Sequence, residues 1–507
     1  MMDLKKKSNF FLELISWLFV LIPTAFIIGP FFINFITTVI VVVYLIIYFR
    51  NHILRINHHL LFFLKIFFSF NLYLFISSLL GETPLVSIFS SVSYLRYIFL
   101  ILAISFILER NFYYLKYFFY VSLFCIMFLF YDVLVQFFTN QNLLGIINSS
   151  SDRFTGFFGK EQISGSYSVR FLPIILFLVN FFYFKKTRFF LQTLVISLIL
   201  FLVLVSGERT SLFMCVVYIV FFIIINKNLK LTVQILSIFL ILFFCTSLYK
   251  QPLKNRFIDS TLNQLFTTSD DRSTFSFLSV RHENHIKTSI NIFKKNIFFG
   301  SGPNSFRYIC YDIKYSVRDE IYNSATFKSK FDGYLKLDLK EDASQFYGSN
   351  VLNPTRIDIK GSIFDNNNTV LENFIIPWNS KIISQNNTYV SKGQHIFIKN
   401  IPYDDGCNTH PHNFIFQILA ELGLFGIMFY LFFLLKLFLL IFKNIYNLYF
   451  KNQIIHSKNA LLILGAFLIN FFPFIPTGGF FSSWLMTICL LPAGLLFFLQ
   501  NNNNIRK

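Results

Sequence analysis

The sequence predicts an all-α polytopic membrane protein of about twelve transmembrane helices, interrupted by one large outward loop that carries a small β-rich insert. Three observations predict it. Of the 507 residues, 55% are hydrophobic and only 14% charged, with a mean hydropathy of +0.59; a water-soluble domain cannot cover that much apolar surface. Apolar runs of roughly bilayer-spanning length recur along the chain. The short connections between them alternate between basic and nearly neutral. The 73 phenylalanines read as a compositional bias toward Phe, Ile, Lys and Asn, not as an aromatic binding site.

The runs fall at about 10–28, 31–49, 60–80, 88–108, 117–138, 169–184, 189–205, 211–225, 231–249, 413–442, 460–475 and 480–499. The first is not expected to be a cleavable signal, because a second run follows at once without a small-residue cleavage site. The connections at 4–7, 50–55, 109–116, 185–188, 226–230 and 443–458, with the tail, hold 17 Lys or Arg against the acidic Asp3 and Glu109. The positive-inside rule assigns this set and both termini to the cytoplasm. The intervening set, including 139–168, Ser206–Thr210 and 473–479, then faces outward. The net charge of +19 is mostly this topology signal. A nucleic-acid partner would need a basic soluble domain, and there is none. No internal repeat and no broken, duplicated half-structure of the transporter kind is evident.

The chain therefore divides into a membrane part at 1–249, a large periplasmic loop at 250–411 and a second membrane part at 412–507. The loop has 20 basic and 16 acidic residues, an ordinary soluble balance. Its first part, 250–309, is helical in part: VRHENHIKTSINIFKKN sets Ile286, Ile290 and Phe293 on one face. Residues 311–406 form the β-rich insert. YLKLDLK (334–340) and TRIDIKGSI (355–363) alternate, and NTYVSKGQHIFIKNI reads as two strands around Lys392 and Gly393. Cys310 and Cys407, the only cysteines in the loop, flank the insert. An oxidising exterior favours a disulfide between them; two free thiols are the alternative.

Ionisable residues cluster at the outward ends of spans. Arg153 and Arg170 bracket a Gly-rich stretch, Arg209 sits in SGERTS between two apolar runs, and Arg281 opens the helical part of the loop. Arginine suits phosphate, because its planar fork donates two parallel hydrogen bonds and keeps its charge. CNTHPHNFIFQILAELGLFG (407–426) places His410 and His412 before an apolar run. In a helix begun near Pro411, Asn413, Gln417 and Glu421 form one polar stripe below His412. A carboxylate there turns to the bundle interior or a wet cavity. Histidine suits proton transfer near neutral pH.

An outward Arg in an SGERTS-like turn, a second Arg some seventy residues on, Gly300, Gly302 and Phe306 as G-x-G-x-x-x-F, and H-x-H-N-x-x-x-Q-x-x-x-E-x-G together resemble the O-antigen ligase and polymerase superfamily. The resemblance covers roughly 150–440. It implies transfer of a glycan from undecaprenyl diphosphate to an acceptor hydroxyl at the periplasmic face of the bacterial inner membrane. Arg209 and Arg281 would bind the diphosphate, Arg153 and Arg170 would be weaker ligands, and His412 would activate the acceptor, supported by His410 and the polar stripe. No metal or cofactor is implied. A lipid A-core acceptor makes the chain a ligase; a second lipid-linked repeat makes it a polymerase, and a protein hydroxyl an O-oligosaccharyltransferase. From a different class, a transporter of the same lipid-linked sugars would carry charge near the midplane, where Arg96 stands.

Overall fold

The computed structural model describes residues 2–51, 58–147, 153–159, 161–259, 261, 266–269, 272–275, 280–310, 312, 314–315, 318–321, 334–337, 359–365, 367–376, 389–392, 395–396, 401–404, 406–451 and 454–501. Among them, ten helices are long and apolar enough to cross a membrane. Phe10–Val20 and Ile22–Ile28, bent by 52°, make an eleventh candidate, and Ile455–Asn470 is a shorter apolar helix. These coincide with the apolar runs in the sequence, and the chain is a polytopic α-helical membrane protein. It folds as two compact units. One comprises Met1–Tyr73, Val92–Phe277 and Phe429–Lys507; the other comprises Leu74–Ser91 and Leu278–Met428.

In the first unit, Ser164–Phe182 and Ser483–Asn501 are the enclosed central helices, whereas Leu229–Tyr249 is largely uncovered. Uncovered side chains such as Phe31, Leu240 and Phe442 are apolar, as a hydrocarbon surround requires. Helix contacts inside the unit use polar groups sparingly. Asn180 Nδ2 donates to Asn459 Oδ1 at 2.6 Å, and Tyr430 donates to the Phe471 carbonyl at 2.8 Å. Beyond the bend near Leu21, Tyr167 and Trp484 donate to the carbonyls of Pro23 and Phe26 at 3.1 Å each. Arg96, inside a span, donates to the Tyr97 hydroxyl at 3.0 Å.

In the second unit, the helix Phe414–Phe450 departs from the sequence expectation twice. It starts at Phe414, not at Pro411, and Asn413 caps it by accepting from Ile415 N at 2.9 Å. His412 therefore precedes the helix, with φ +56°. The helix is also broken at Gly423, where φ is +63°. The freed groups are met by residues 297–302. Leu424 N donates to Ile297 O at 2.7 Å, Ser301 N to Ala420 O at 3.0 Å, and Gly302 N to Glu421 O at 2.9 Å. A broken helix can lie at membrane depth because neighbouring protein satisfies its backbone in this way. Among the described residues, the other broken candidate span is the bent pair Phe10–Val20 and Ile22–Ile28.

The helix Val280–Lys295 corrects a second expectation. Its buried face is Asn284, His285, Thr288, Ser289 and Ile292; Ile286, Ile290 and Phe293 are only half-buried. The partner surface is polar, so apolar periodicity points the wrong way. Cys310 and Cys407 are joined as a disulfide, with Cα atoms 5.1 Å apart. Beyond them, Arg318–Ile321 pairs antiparallel with Ile401–Asp404. A five-stranded sheet follows in the order Val370–Ile376, Ile359–Phe364, Tyr334–Leu337, Tyr389–Lys392, His395–Ile396, its described pairs antiparallel. All three alternating stretches supply its strands.

Candidate functional site

Two groups of chemically capable residues stand out, one in each unit. In the first, the loop 153–163 is built by buried polar side chains of the preceding span. Gln136 Oε1 accepts from Thr155 N and Gly156 N at 3.0 and 2.8 Å, and Asp132 Oδ1 accepts from Leu143 N at 2.8 Å. Asn142 donates to the Gly156 carbonyl at 3.1 Å and accepts from Leu144 N and Ile146 N. Phe154 N then donates to Val205 O at 3.3 Å, which sets Arg153 beside the Ser206–Glu208 turn. Arg153 donates to Gln162.

That turn has Gly207 at φ +64° and leads into the helix Arg209–Asn226. Arg209 thus adds a fixed cation to the positive end of an 18-residue helix, a favourable place for an anion. Glu208 does not compete with it as a local cap. Its carboxylate instead accepts from Gly165 N at 2.9 Å, Ser166 N at 3.3 Å and Ser211 Oγ at 2.8 Å. Burial pushes the Glu208 carboxyl up, against the pull of those hydrogen bonds and of Arg170. Arg170 is only 3% exposed and donates to the carbonyl and hydroxyl of Ser166, one turn back on its own helix. Arg256, which sequence reasoning missed, donates through Nε to the Gly207 carbonyl at 2.6 Å. No local sequence signal distinguishes it from other loop cations.

In the second unit, His412 is the centre of an imidazole cluster. Its ring centroid lies 4.2 Å from that of His410, 5.5 Å from His285 and 5.6 Å from His282. His282 and His285 come from the first turns of Val280–Lys295, the helix that Arg281 also joins; the Arg281 side chain lies outside the described residues. Sequence reasoning missed both histidines, although their spacing of three after Arg281 places them on adjacent turns. His412 Nε2 lies 3.1 Å from Asn408 Nδ2, and His410 Nδ1 lies 2.9 Å from Thr409 Oγ1. A bulky residue at positive φ is a strained conformation that persists where surroundings over-determine it, often at functional sites. Among the described residues, no set of three His, Cys, Asp or Glu side chains is arranged to hold a metal ion.

The polar stripe has a structural occupation. Glu421 accepts from Phe306 N at 2.9 Å, Asn304 N at 3.1 Å and Gln417 Nε2 at 3.0 Å. Its carboxylate faces backbone amides of the 300–306 turn and not a wet cavity. The Gly300, Gly302, Phe306 turn and the Glu421, Gly423 segment, far apart in sequence, are thus one interlocked structure.

The fold and these groups define a multi-pass α-helical membrane protein with a cationic turn in one unit and an imidazole cluster in the other. No protein-family model, curated protein or solved structure matches the chain.

Proposed function

We propose that the chain is a glycosyltransferase of the bacterial inner membrane, moving a glycan from undecaprenyl diphosphate to an acceptor hydroxyl at the periplasmic face, with lipid A-core as the acceptor. Both termini lie in the cytoplasm on this reading, because the basic connections mark that side. The reading rests on His412, held at φ +56° within 6 Å of three other imidazoles, just before a broken span. A proton-accepting group so constrained suits a hydroxyl nucleophile. Arg209 and Arg281 are assigned to the donor diphosphate, with Arg153 and Arg170 contributing positive charge.

The step balances without a co-reactant. The acceptor O–H proton passes to His412 as its oxygen attacks the anomeric carbon. The bond from that carbon to the diphosphate oxygen breaks, and the electron pair leaves on the diphosphate, whose growing charge arginine stabilises. One displacement inverts the anomeric centre.

The test uses purified protein in proteoliposomes with a lipid-diphosphate-linked glycan and lipid A-core. His412→Gln is expected to lower kcat by about 100-fold or more, the range of general-base catalysis. Wild-type transfer by that variant overturns the proposal. Extension of a second lipid-linked repeat in place of lipid A-core capping assigns a polymerase. Movement of the donor across the bilayer without transfer assigns a transporter.

A further inference from the structure

We propose that Asn408 is a positioning residue for His412, holding the imidazole as the tautomer protonated on Nδ1 so that Nε2 is a hydrogen-bond acceptor, taken by the Asn408 amide at rest and by the acceptor hydroxyl in the reaction. This rests on the proposed role of His412 and refines it to a single atom.

The sense of the Asn408 amide is fixed by its own turn. Its Oδ1 accepts from Thr409 N at 2.8 Å, which leaves Nδ2 to face His412 Nε2 at 3.1 Å. An amide nitrogen only donates, so Nε2 accepts. In a neutral imidazole the single proton then sits on Nδ1. Asn408 therefore occupies the position that a hydroxyl must take to give up its proton. It is a neutral donor standing where the acceptor O–H would stand.

Both partners are held. Asn408 follows Cys407, which is tied to Cys310, and Cys310 Sγ lies 3.7 Å from the Asn408 carbonyl oxygen. His412 is fixed between the buried Pro411 and the capping Asn413. Among the described residues, the ionisable groups facing it include the rings of His282 and His285 on the packed helix and His410 on its own loop. The first turn of that helix also carries Arg281 and Glu283. A proton on any neighbouring ring would disfavour one on His412 through like-charge repulsion. During transfer the hydroxyl displaces the Asn408 amide, its proton bonds to Nε2, and the ring becomes imidazolium with both nitrogens protonated.

The tautomer is read by nitrogen NMR of full-length protein in lipid nanodiscs with isotope-labelled histidine; His412 signals are those missing from His412→Gln. Wild type is expected to show His412 unprotonated at Nε2 and protonated at Nδ1. In Asn408→Asp the carboxylate can only accept, so Nε2 gains a proton. Its charge also favours imidazolium, and the acidic limb of the pH–rate profile is expected to move up by about one unit or more. The KM for donor should stay unchanged in that variant. Asn408→Ala, which imposes neither tautomer, should give a mixture and an intermediate kcat. Wild-type His412 protonated on Nε2 overturns the inference, and so does an Asn408→Asp variant with unchanged tautomer and pH profile. Because the wild-type spectrum decides by itself, a variant that fails to fold cannot shelter the idea. If His412→Gln retains transfer, the functional reading fails. If it loses transfer while Nε2 proves protonated, only the assignment to Asn408 fails.

Discussion

Replacing Gly423 with alanine strikes the point where the broken helix meets residues 297–302. The backbone there has φ +63° and ψ −158°, a region essentially restricted to glycine, which costs an L side chain about 1–3 kcal/mol. The new Cβ would sit 2.6 Å from Gly300 N and 2.7 Å from both Ile297 O and Phe298 C. All three are backbone atoms and cannot rotate away, so one chain must withdraw by most of an ångström. Withdrawal breaks the 2.7 Å bond from Leu424 N to Ile297 O and leaves an amide unsatisfied within an apolar helix, at about 1–3 kcal/mol. Together these imply a local destabilisation of about 2–6 kcal/mol, from the ordinary range of point mutations to its upper end. The buried disulfide in the same unit supplies the assay, because Cys310 and Cys407 are 0% and 1% exposed and a water-soluble reductant reaches them only when the unit opens. Opening that is easier by this amount should raise the reduction rate in mild detergent by roughly 30-fold or more, if exchange follows the open population. A Gly423→Ala protein reduced within threefold of the wild-type rate would refute the argument that this contact holds the broken helix in place.

Glu421→Ala should loosen the same unit by a different route. It orphans the buried amide of Phe306 and the part-buried amide of Asn304, at about 1–3 kcal/mol for a fully buried donor, and the same reduction assay should show a rate rise comparable to that of Gly423→Ala. Glu208 gives a pH dependence. Burial raises its folded pKa above the ordinary 4.5, so the folded state binds the proton more tightly than the unfolded state. That contribution is complete below pH 4.5 and is lost as pH rises through the folded value. Thermal stability in wild type should fall across that window. In Glu208→Gln, whose amide oxygen still accepts from Gly165 N and Ser166 N, the fall should flatten; an unchanged slope would remove Glu208 as its source.

The spans were legible because a bilayer imposes block length whatever lies beside it. The strands of the three alternating stretches were legible because alternation is local to each, whereas Arg318–Ile321, Val370–Ile376 and the hairpin of Phe266–Ser269 with Arg272–Phe275 were not marked. The break at Gly423 was not, since the run around it contains no proline, and Glu421 reads as part of a polar stripe on a continuous helix. It exists because Ile297, Phe298, Ser301 and Gly302, more than a hundred residues earlier, bond the groups it frees. The helix Val280–Lys295 misleads for a related reason. Its neighbours on the buried side are the 406–412 loop and its imidazoles, so Asn284, His285 and Thr288 turn inward where Ile286 and Ile290 look the better candidates. His412 was visible from its place before an apolar run. His282 and His285 read as the wet side of an amphipathic helix, and nothing local to Asn408 or Arg256 marks either residue.

The disulfide between Cys310 and Cys407 has a consequence for how the insert can change over evolutionary time. Its two Cα atoms are 5.1 Å apart, the separation of neighbouring strands, and Arg318–Ile321 pairs with Ile401–Asp404 just beyond. The chain thus leaves and re-enters through a stapled two-stranded stem. Everything past that stem is free to lengthen, shorten or be exchanged for another module without moving His412 or the 300–306 turn, because loop-closure entropy varies only slowly with length. The insert is in effect a replaceable head. Length and sequence can change there, while the close contacts at Gly300, Gly302 and Gly423 below the stem leave no room for a side chain.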